Sequence, residues 1–400
     1  MTTVLIGLTT GLIALAMSLM AFPIALRFAI THNIVDNPDA RKLQRVPVPV
    51  MGGIAVYAGV ATATFFIYGV TGHWELWVHI ASMTIMMGIG MWDDIKNLPA
   101  IFRFLVEIAL VWALMALTGD YINSLHGLWG VEELDVFVAL PLSLVGGVGI
   151  INAVNLIDGV DGYSSSYGIL ANTLFAILFF WVGQNTLGYL AVACACACVP
   201  FFIHNVFGVK TKMFFGDGGT LMLGTLMAIF VFAALDGDSP CHSLGAHGVS
   251  IVAFVLAVLA IPVFDTLRVM SARIVRGHSP FHPDKTHLHH LFIEMKFSHL
   301  GTSFAILMIQ TFIVLAWLVS WLLGASPEVQ LYVVLALGIG TTFVFYRFMK
   351  IQQMGGPVDK DGNPMGTGLW KWMCKVGRNT RYGRKGVWLF LERLADWGWK

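Results

Sequence analysis

VLIGLTTGLIALAMSLMAFPIALRFAI, residues 4–30, carries a single charged side chain, Arg27, close to its far end. About 20 consecutive apolar residues suffice for a helix to cross the ~30 Å hydrocarbon core of a bilayer. A cleaved signal peptide has its basic residues first and a shorter apolar stretch, the reverse of the order here. The segment therefore reads as a retained first span with the N-terminus outside. Ten further windows of similar character follow, at 50–70, 77–92, 102–118, 136–154, 164–183, 187–207, 219–235, 248–270, 303–323 and 329–347. The expected fold is all-α, a polytopic integral membrane protein of about eleven transmembrane helices. Its domains are a membrane-embedded unit over 1–350 and a tail over 351–400. The composition agrees: 57% of the 400 residues are hydrophobic and 12% charged, far more apolar surface than one soluble core can bury. With a net charge of +1, nothing suggests nucleic acid as a bulk electrostatic partner. Cys194, Cys196 and Cys198 alternate with Ala inside an apolar run, which is neither a metal-binding spacing nor a disulfide framework.

Orientation follows independently, because Lys and Arg accumulate in cytoplasmic loops. With the N-terminus outside and eleven spans threaded, each of the 24 Lys and Arg residues falls on the cytoplasmic side or within a turn of it. The outer connections contain no Lys or Arg and carry Glu75, Asp120, Glu132, Glu133, Asp135, Asp236, Asp238 and Glu328. The C-terminus is then cytoplasmic, and the reactive side chains gather on cytoplasmic loops. The tail is basic and interleaved with Trp370, Trp372, Trp388, Trp397 and Trp399, the composition of an amphipathic element lying on the anionic inner leaflet.

Four loops carry the chemistry. Asp93 and Asp94 end the third window; a carboxylate at the bilayer centre costs roughly 2.5–3.5 kcal/mol, so this pair belongs at the boundary or in a watery cavity. In NLIDGVDG (155–162), Asp158 and Asp161 stand three apart, on one face of a helical turn. In FFGDGGT (214–220), Asp217 sits in a Gly-rich turn that opens a helix, where backbone N–H groups and a carboxylate together suit phosphate with Mg²⁺. The loop from Arg273 to Leu300 holds Arg276, His282, Asp284, Lys285, His287, His289 and His290, basic groups suited to an anionic ligand. Five carboxylates converging on one face repel strongly: two unit charges ~4 Å apart interact by ~4 kcal/mol at an effective dielectric of 20. A divalent cation relieves this, and an oxygen-rich donor set favours Mg²⁺, or Mn²⁺ in its place, over Zn²⁺. Spacing alone thus points to a Mg²⁺-dependent phosphoryl-type enzyme at the inner membrane surface.

DNPDARKLQRVPVPVMGG (36–53), DDIKNLPA (93–100), NAVNLIDGVDG (152–162), FFGDGG (214–219) and GHSPFHPDKTHLHHLF (277–292) occur in the order found in the polyprenyl-phosphate N-acetylhexosamine-1-phosphate transferase superfamily, the glycosyltransferase 4 family, which the chain resembles over about 270 residues of its length. The last motif resembles the branch acting on UDP-N-acetylglucosamine and undecaprenyl phosphate, which begins O-antigen, enterobacterial common antigen or teichoic-acid linkage synthesis. The resemblance implies an enzyme of the cell inner membrane with UDP-N-acetylhexosamine as donor and undecaprenyl phosphate as acceptor, and it leaves a homodimer open. It implies Asp217, with Asp94, as Mg²⁺ ligands. Asp93 and Asp94 would serve the lipid phosphate, and Asp158, Asp161 and His290 would complete the catalytic set. Asn155, Asp158 and Asp161 would contact the uridine, with Phe214 stacking on uracil; Arg41 and Lys42 would belong to the first basic loop; Arg276, His287, His289 and His290 would hold the diphosphate and sugar. The alternatives are transfer of phospho-MurNAc-pentapeptide or another UDP-sugar, and, from another class, a transporter. Transporters bind near the midplane between repeats, whereas these polar residues cluster at one face and no repeat is visible.

Overall fold

A computed structural model describes residues 2–37, 46–280, 284–358, 365–380 and 387–396. The helices in chain order are α1 (Thr2–Thr31), α2 (Gly52–Thr71), α3 (Glu75–Lys96), α4 (Ala100–Thr118), α5 (Val136–Leu156), α6 (Tyr163–Trp181), α7 (Asn185–Phe207), α8 (Gly216–Leu235), α9 (Ile251–Val258), α10 (Ala260–Val275), α11 (Leu288–Glu294), α12 (His299–Leu322), α13 (Pro327–Ile339), α14 (Phe345–Met354), α15 (Gly368–Asn379) and α16 (Val387–Ala395). Each expected window contains helix. Among the described residues nine helices, counting α13 and α14 as one, are long and apolar enough to cross a membrane, and the protein is a multi-pass, all-α membrane protein.

The window at 248–270 departs from one continuous span, for a local reason. Pro262 has no N–H to give the carbonyl of Val258, four residues back, so the ladder opens there. Gln310 of α12 inserts its amide into the gap. Its Oε1 accepts from Ile261 N at 3.0 Å, and its Nε2 donates to Val258 O at 3.1 Å and to Ala257 O. The break separates α9 from α10, and a 3₁₀ segment (Pro240–His247) meets α9 at a 107° bend. The last span instead runs on to Met354 through a π-helical turn at Gly340–Val344.

Helix α8 is the hub. Its membrane-length window is buried throughout, and it packs on α2, α3 and α5. Two short strands, β1 (Val35–Asp36) and β2 (Val48–Pro49), pair antiparallel, and the chain after β2 is stitched to the head of α8. Phe214 N donates to Pro49 O at 2.8 Å, while Gly52 N and Gly53 N donate to Phe214 O and Phe215 O at 2.9 Å. The C-terminal ends of α3 and α5 and the N-terminal ends of α4, α6 and α8 thereby meet at one end of the bundle.

Candidate active site

At that end lies a cavity of about 630 Å³. Asp93 and Asp94 reach it from α3, Asn155, Asp158 and Asp161 from the α5–α6 connection, Phe214 and Asp217 from the head of α8, and His287, His289 and His290 from the start of α11. Ten expected site residues thus come together from four separate stretches of chain. Arg41 and Lys42 lie outside the described residues. Arg276 does not line the cavity: α10 carries it to its exposed end. Arg273, one turn earlier, turns inward instead. It holds the Asp284 carboxylate through Nε and Nη2 at 3.1 and 3.0 Å and donates to Pro280 O at 2.7 Å. Asp284 also accepts from Thr286 N and Oγ1. Burial pushes its carboxyl up, but Arg273 and Thr286 outweigh that and hold it at about 2.

The Gly-rich turn is arranged differently from its expected phosphate-cradling role. Asp94 reaches across from α3 and caps α8: Asp217 N and Gly218 N donate to its two oxygens at 3.1 and 3.3 Å. A carboxylate at a helix N-terminus satisfies free N–H groups and the helix dipole together, so a side chain occupies the place expected for a ligand phosphate. Gly216 permits this approach; its φ is +79°, and a Cβ there would stand 2.6 Å from Asp94 Oδ2.

Three side chains missed from the sequence, Arg103, Lys212 and His299, organise the remaining carboxylates. Arg103 of α4 donates from Nη1 to Asp93 Oδ2 at 2.8 Å and to Asp217 Oδ2 at 3.3 Å, and its Nε lies 3.6 Å from the fully buried Glu107. Asp161 Oδ2 is held by Lys212 Nζ at 2.6 Å and His299 Nδ1 at 3.0 Å. Burial raises the Asp161 carboxyl, but these two groups outweigh it and keep it below the usual range. Asp158 opens onto the cavity, yet the enclosing walls push its carboxyl up to about 6, against the 2.6 Å hydrogen bond from Ser164 Oγ. Asn155 Oδ1 accepts from Thr220 Oγ1 at 2.6 Å, tying the α5–α6 turn to α8.

The His-rich segment rests on a buried pair in α10. Asp265 accepts from Arg268 Nη2 at 2.6 Å, pairs with His287 Nδ1 at 3.0 Å and accepts from Leu288 N at 3.1 Å. His289 packs into the notch at Gly159, where a Cβ would lie 2.1 Å from its Nε2. Burial, then the neighbouring His290 and His287, holds His289 well below its ordinary value, and burial with His287 and Lys285 holds His290 at about 4. Both imidazoles are therefore neutral near pH 7, each with one N–H to donate. The signal for Asp265, Arg268 and Glu107 was present in the sequence: ionisable side chains inside apolar windows mark function by default. Lys212 and His299 gave no such signal, since their partner is 51 and 138 residues distant.

The carboxylates make the cavity net acidic, beside the imidazoles of His287, His289, His290 and His299. Asp93, Asp94, Asp158, Asp161 and Asp217 face the cavity with Arg103 and Lys285. Among the described residues no three acidic, His or Cys side chains surround one point in metal-binding geometry. Mg²⁺ does not require such a cage, because it binds through one or two carboxylates together with substrate phosphates and water. The residues present fit that mode.

The model of glycosyl transferase family 4 matches residues 76–235. The undecaprenyl-phosphate alpha-N-acetylglucosaminyl 1-phosphate transferase of Yersinia pestis is 30% identical over 298 residues, 74% of this chain and 79% of that protein. The chain belongs to glycosyl transferase family 4. A second member, the decaprenyl-phosphate N-acetylglucosaminephosphotransferase of Mycolicibacterium smegmatis, is 31% identical over 318 residues, covering 74% and 76% of the two chains. The undecaprenyl-phosphate alpha-N-acetylglucosaminyl 1-phosphate transferase of Escherichia coli strain K12 is 28% identical over 66% and 71%. The stretch matching the family model holds the α3 carboxylates, the α5–α6 turn and Asp217; the His-rich segment of this family 4 chain lies beyond it.

Proposed function

We propose that this enzyme transfers N-acetylglucosamine 1-phosphate from UDP-N-acetylglucosamine to undecaprenyl phosphate, at the cytoplasmic face of the inner membrane, to begin a cell-envelope polysaccharide. The observation that carries this reading is the cavity at one end of the bundle where the carboxylates of α3, the α5–α6 turn and α8 meet the His-rich segment. The names of the family relatives, which specify N-acetylglucosaminyl 1-phosphate transfer to polyprenyl phosphates, support the donor and acceptor. An oxygen of the lipid phosphate attacks the β-phosphorus of the UDP-sugar. The new P–O bond forms as the bond to the bridging oxygen breaks, and that oxygen leaves on UMP. The phosphomonoester is already largely ionised near pH 7, so positioning outweighs proton removal. Arg103, between Asp93 and Asp217, offsets charge beside the reacting phosphates. His289 and His290 donate neutral hydrogen bonds to diphosphate or sugar oxygens, and Asn155, Phe214 and the Asp158–Asp161 turn hold the uridine. Asp217 and Asp94 would hold Mg²⁺, which when bound neutralises charge developing on the leaving phosphate. Two anionic substrates otherwise meet a net acidic cavity, which favours a cation there.

A panel of UDP-sugars tests the donor assignment. His287→Ala and His290→Ala should each lower kcat/KM for UDP-N-acetylglucosamine at least tenfold, from hydrogen bonds to charged groups of about 1.5–3 kcal/mol, and should weaken UMP binding less. Equal weakening of UMP and UDP-sugar would make the loop a general anion clamp and remove this support. For the orientation, cysteines placed in 119–135 or 236–247 should react with an impermeant reagent outside intact cells. Those placed in 277–290 should not; outside labelling there would overturn the cytoplasmic site.

A further inference from the structure

The tail beyond the last membrane helix has no part in the chemistry above, yet it reaches the residues on either side of Asp161. Helix α16 lies along the end of α7, with Trp388 edge-on to Phe207 at 4.9 Å. Immediately after it, Asp396 turns its carboxylate into the 209–211 turn. It accepts from Val209 N and Lys210 N at 3.1 Å, from Thr211 N at 3.2 Å and from Thr211 Oγ1 at 2.9 Å. Successive N–H groups converging on one anion form a nest, and this one is filled by the tail's own carboxylate. The next residue is Lys212, which holds Asp161. The turn then runs through Met213, whose carbonyl accepts from Asn205 Nδ2 at 2.8 Å, and Asn205 Oδ1 in turn accepts from Gly162 N at 2.6 Å.

Helix α15 makes the second connection. Gly377 is pressed against the 295–297 turn, where a Cβ would meet Met295 O at 2.2 Å. Thr380 Oγ1 accepts from Ser298 N at 2.9 Å, and Ser298 Oγ donates to Thr380 O at 3.1 Å. Ser298 caps α12, and the next residue is His299, the other partner of the Asp161 carboxylate. Both tail anchors are thus one residue away from a partner of the same carboxylate.

We propose that α15 and α16, with Thr380 and Asp396 directly after them, are a positioning element of the active site, which sets Lys212 and His299 on Asp161 and thereby shapes the uridine end of the cavity. This rests on the assignment of the uridine nucleotide to the Asp158–Asp161 turn. Asp396 is a positioning residue; it touches neither substrate. A tail that only lay on the membrane would need no carboxylate directed into a backbone nest.

The test uses the full chain. Asp396→Ala should accelerate amide exchange at 209–212. It should raise KM for UDP-N-acetylglucosamine about tenfold, the effect of losing one charged hydrogen-bond acceptor, with KM for undecaprenyl phosphate unchanged. In a Lys212→Met background the same substitution should add less than twofold, since coupled residues are not additive. Asp396→Asn, which keeps one acceptor oxygen and the side chain's shape, should fall between and carries the test if the alanine variant does not fold. Unchanged amide exchange would overturn the contact. Faster exchange with an unchanged donor KM, an equal rise in both KM values, or a full effect persisting in Lys212→Met would overturn the positioning role. Absence of any transfer by the unaltered chain would sink the functional reading instead, and the amide exchange would still decide the contact.

Discussion

Asp217→Asn is expected to lower kcat/KM for transfer at least a hundredfold in protein that expresses and folds normally. Asp93 and Asp94 both have their carboxylate oxygens engaged, by Leu98 N and Arg103 in the first case and by the α8 amides in the second. Asp217 is more open to the cavity than Asp93, with 38% of its side chain exposed against 14%. Its ion pair is the 3.3 Å approach of Arg103 to Oδ2, so of these three it is the carboxylate best placed to meet a phosphate-bound cation. The amide keeps the shape and the helix start while removing the charge. Losing one preorganised electrostatic contact at a reacting group typically costs 10²–10³ in rate, about 2.7–4 kcal/mol. Initial rates of UMP release across a Mg²⁺ series measure it. Rates within threefold of the unaltered enzyme at limiting Mg²⁺ would take Asp217 out of the metal site.

Asp265→Ala should be damaging in a different way, reducing stability and transfer together. Arg268 is 5% exposed and Asp265 4%, so truncating the carboxylate strands a buried guanidinium. Breaking such a pair by deleting one partner costs about 3–5 kcal/mol. The same carboxylate pairs with the His287 ring and accepts from the first amide of α11, so the His-rich segment loses its seat. Arg268 retains its contact with Thr286 O at 2.6 Å and its position 3.8 Å over the Tyr346 ring, which limits the collapse to this neighbourhood. Thermal unfolding in detergent and transfer by the surviving folded fraction should both fall, transfer by at least a hundredfold. A variant that melts and works like the unaltered chain would show that α10 does not support the site.

The membrane architecture was legible because lipid demands long apolar helices whatever the tertiary arrangement, so windows such as 4–30 and 219–235 translate directly into α1 and α8. The break at Leu259 was less visible: Pro262 marked it, but its repair by Gln310 depends on a residue from another helix. The carboxylates were legible as short motifs at window ends, and ten expected residues do meet in one cavity. Their partners were not. Nothing in the local pattern says that Asp94 caps α8 rather than leaving that helix start open to a phosphate. Arg103 stands one residue inside a predicted span, where it reads as a boundary charge until α3 and α8 are placed beside it. Arg276 had the composition of a ligand but falls just past the end of α10, and Arg273 makes the inward contact one turn earlier. The tail shows the same limit, since a basic Trp-rich segment advertises its apolar rings and gives no sign that Asp396 would enter a turn 185 residues away.

The central claim is transfer of a sugar together with its phosphate, and the fate of one phosphorus atom tests it most directly. Purified full-length protein in Mg²⁺-containing detergent solution would be given undecaprenyl phosphate and UDP-N-acetylglucosamine labelled at the β-phosphorus. The label should move into the lipid phase in equal amount to the UMP that appears in the aqueous phase. Release of UDP with an unlabelled lipid product would mean transfer of the sugar alone. No movement of label in folded, unaltered protein would contradict the account outright.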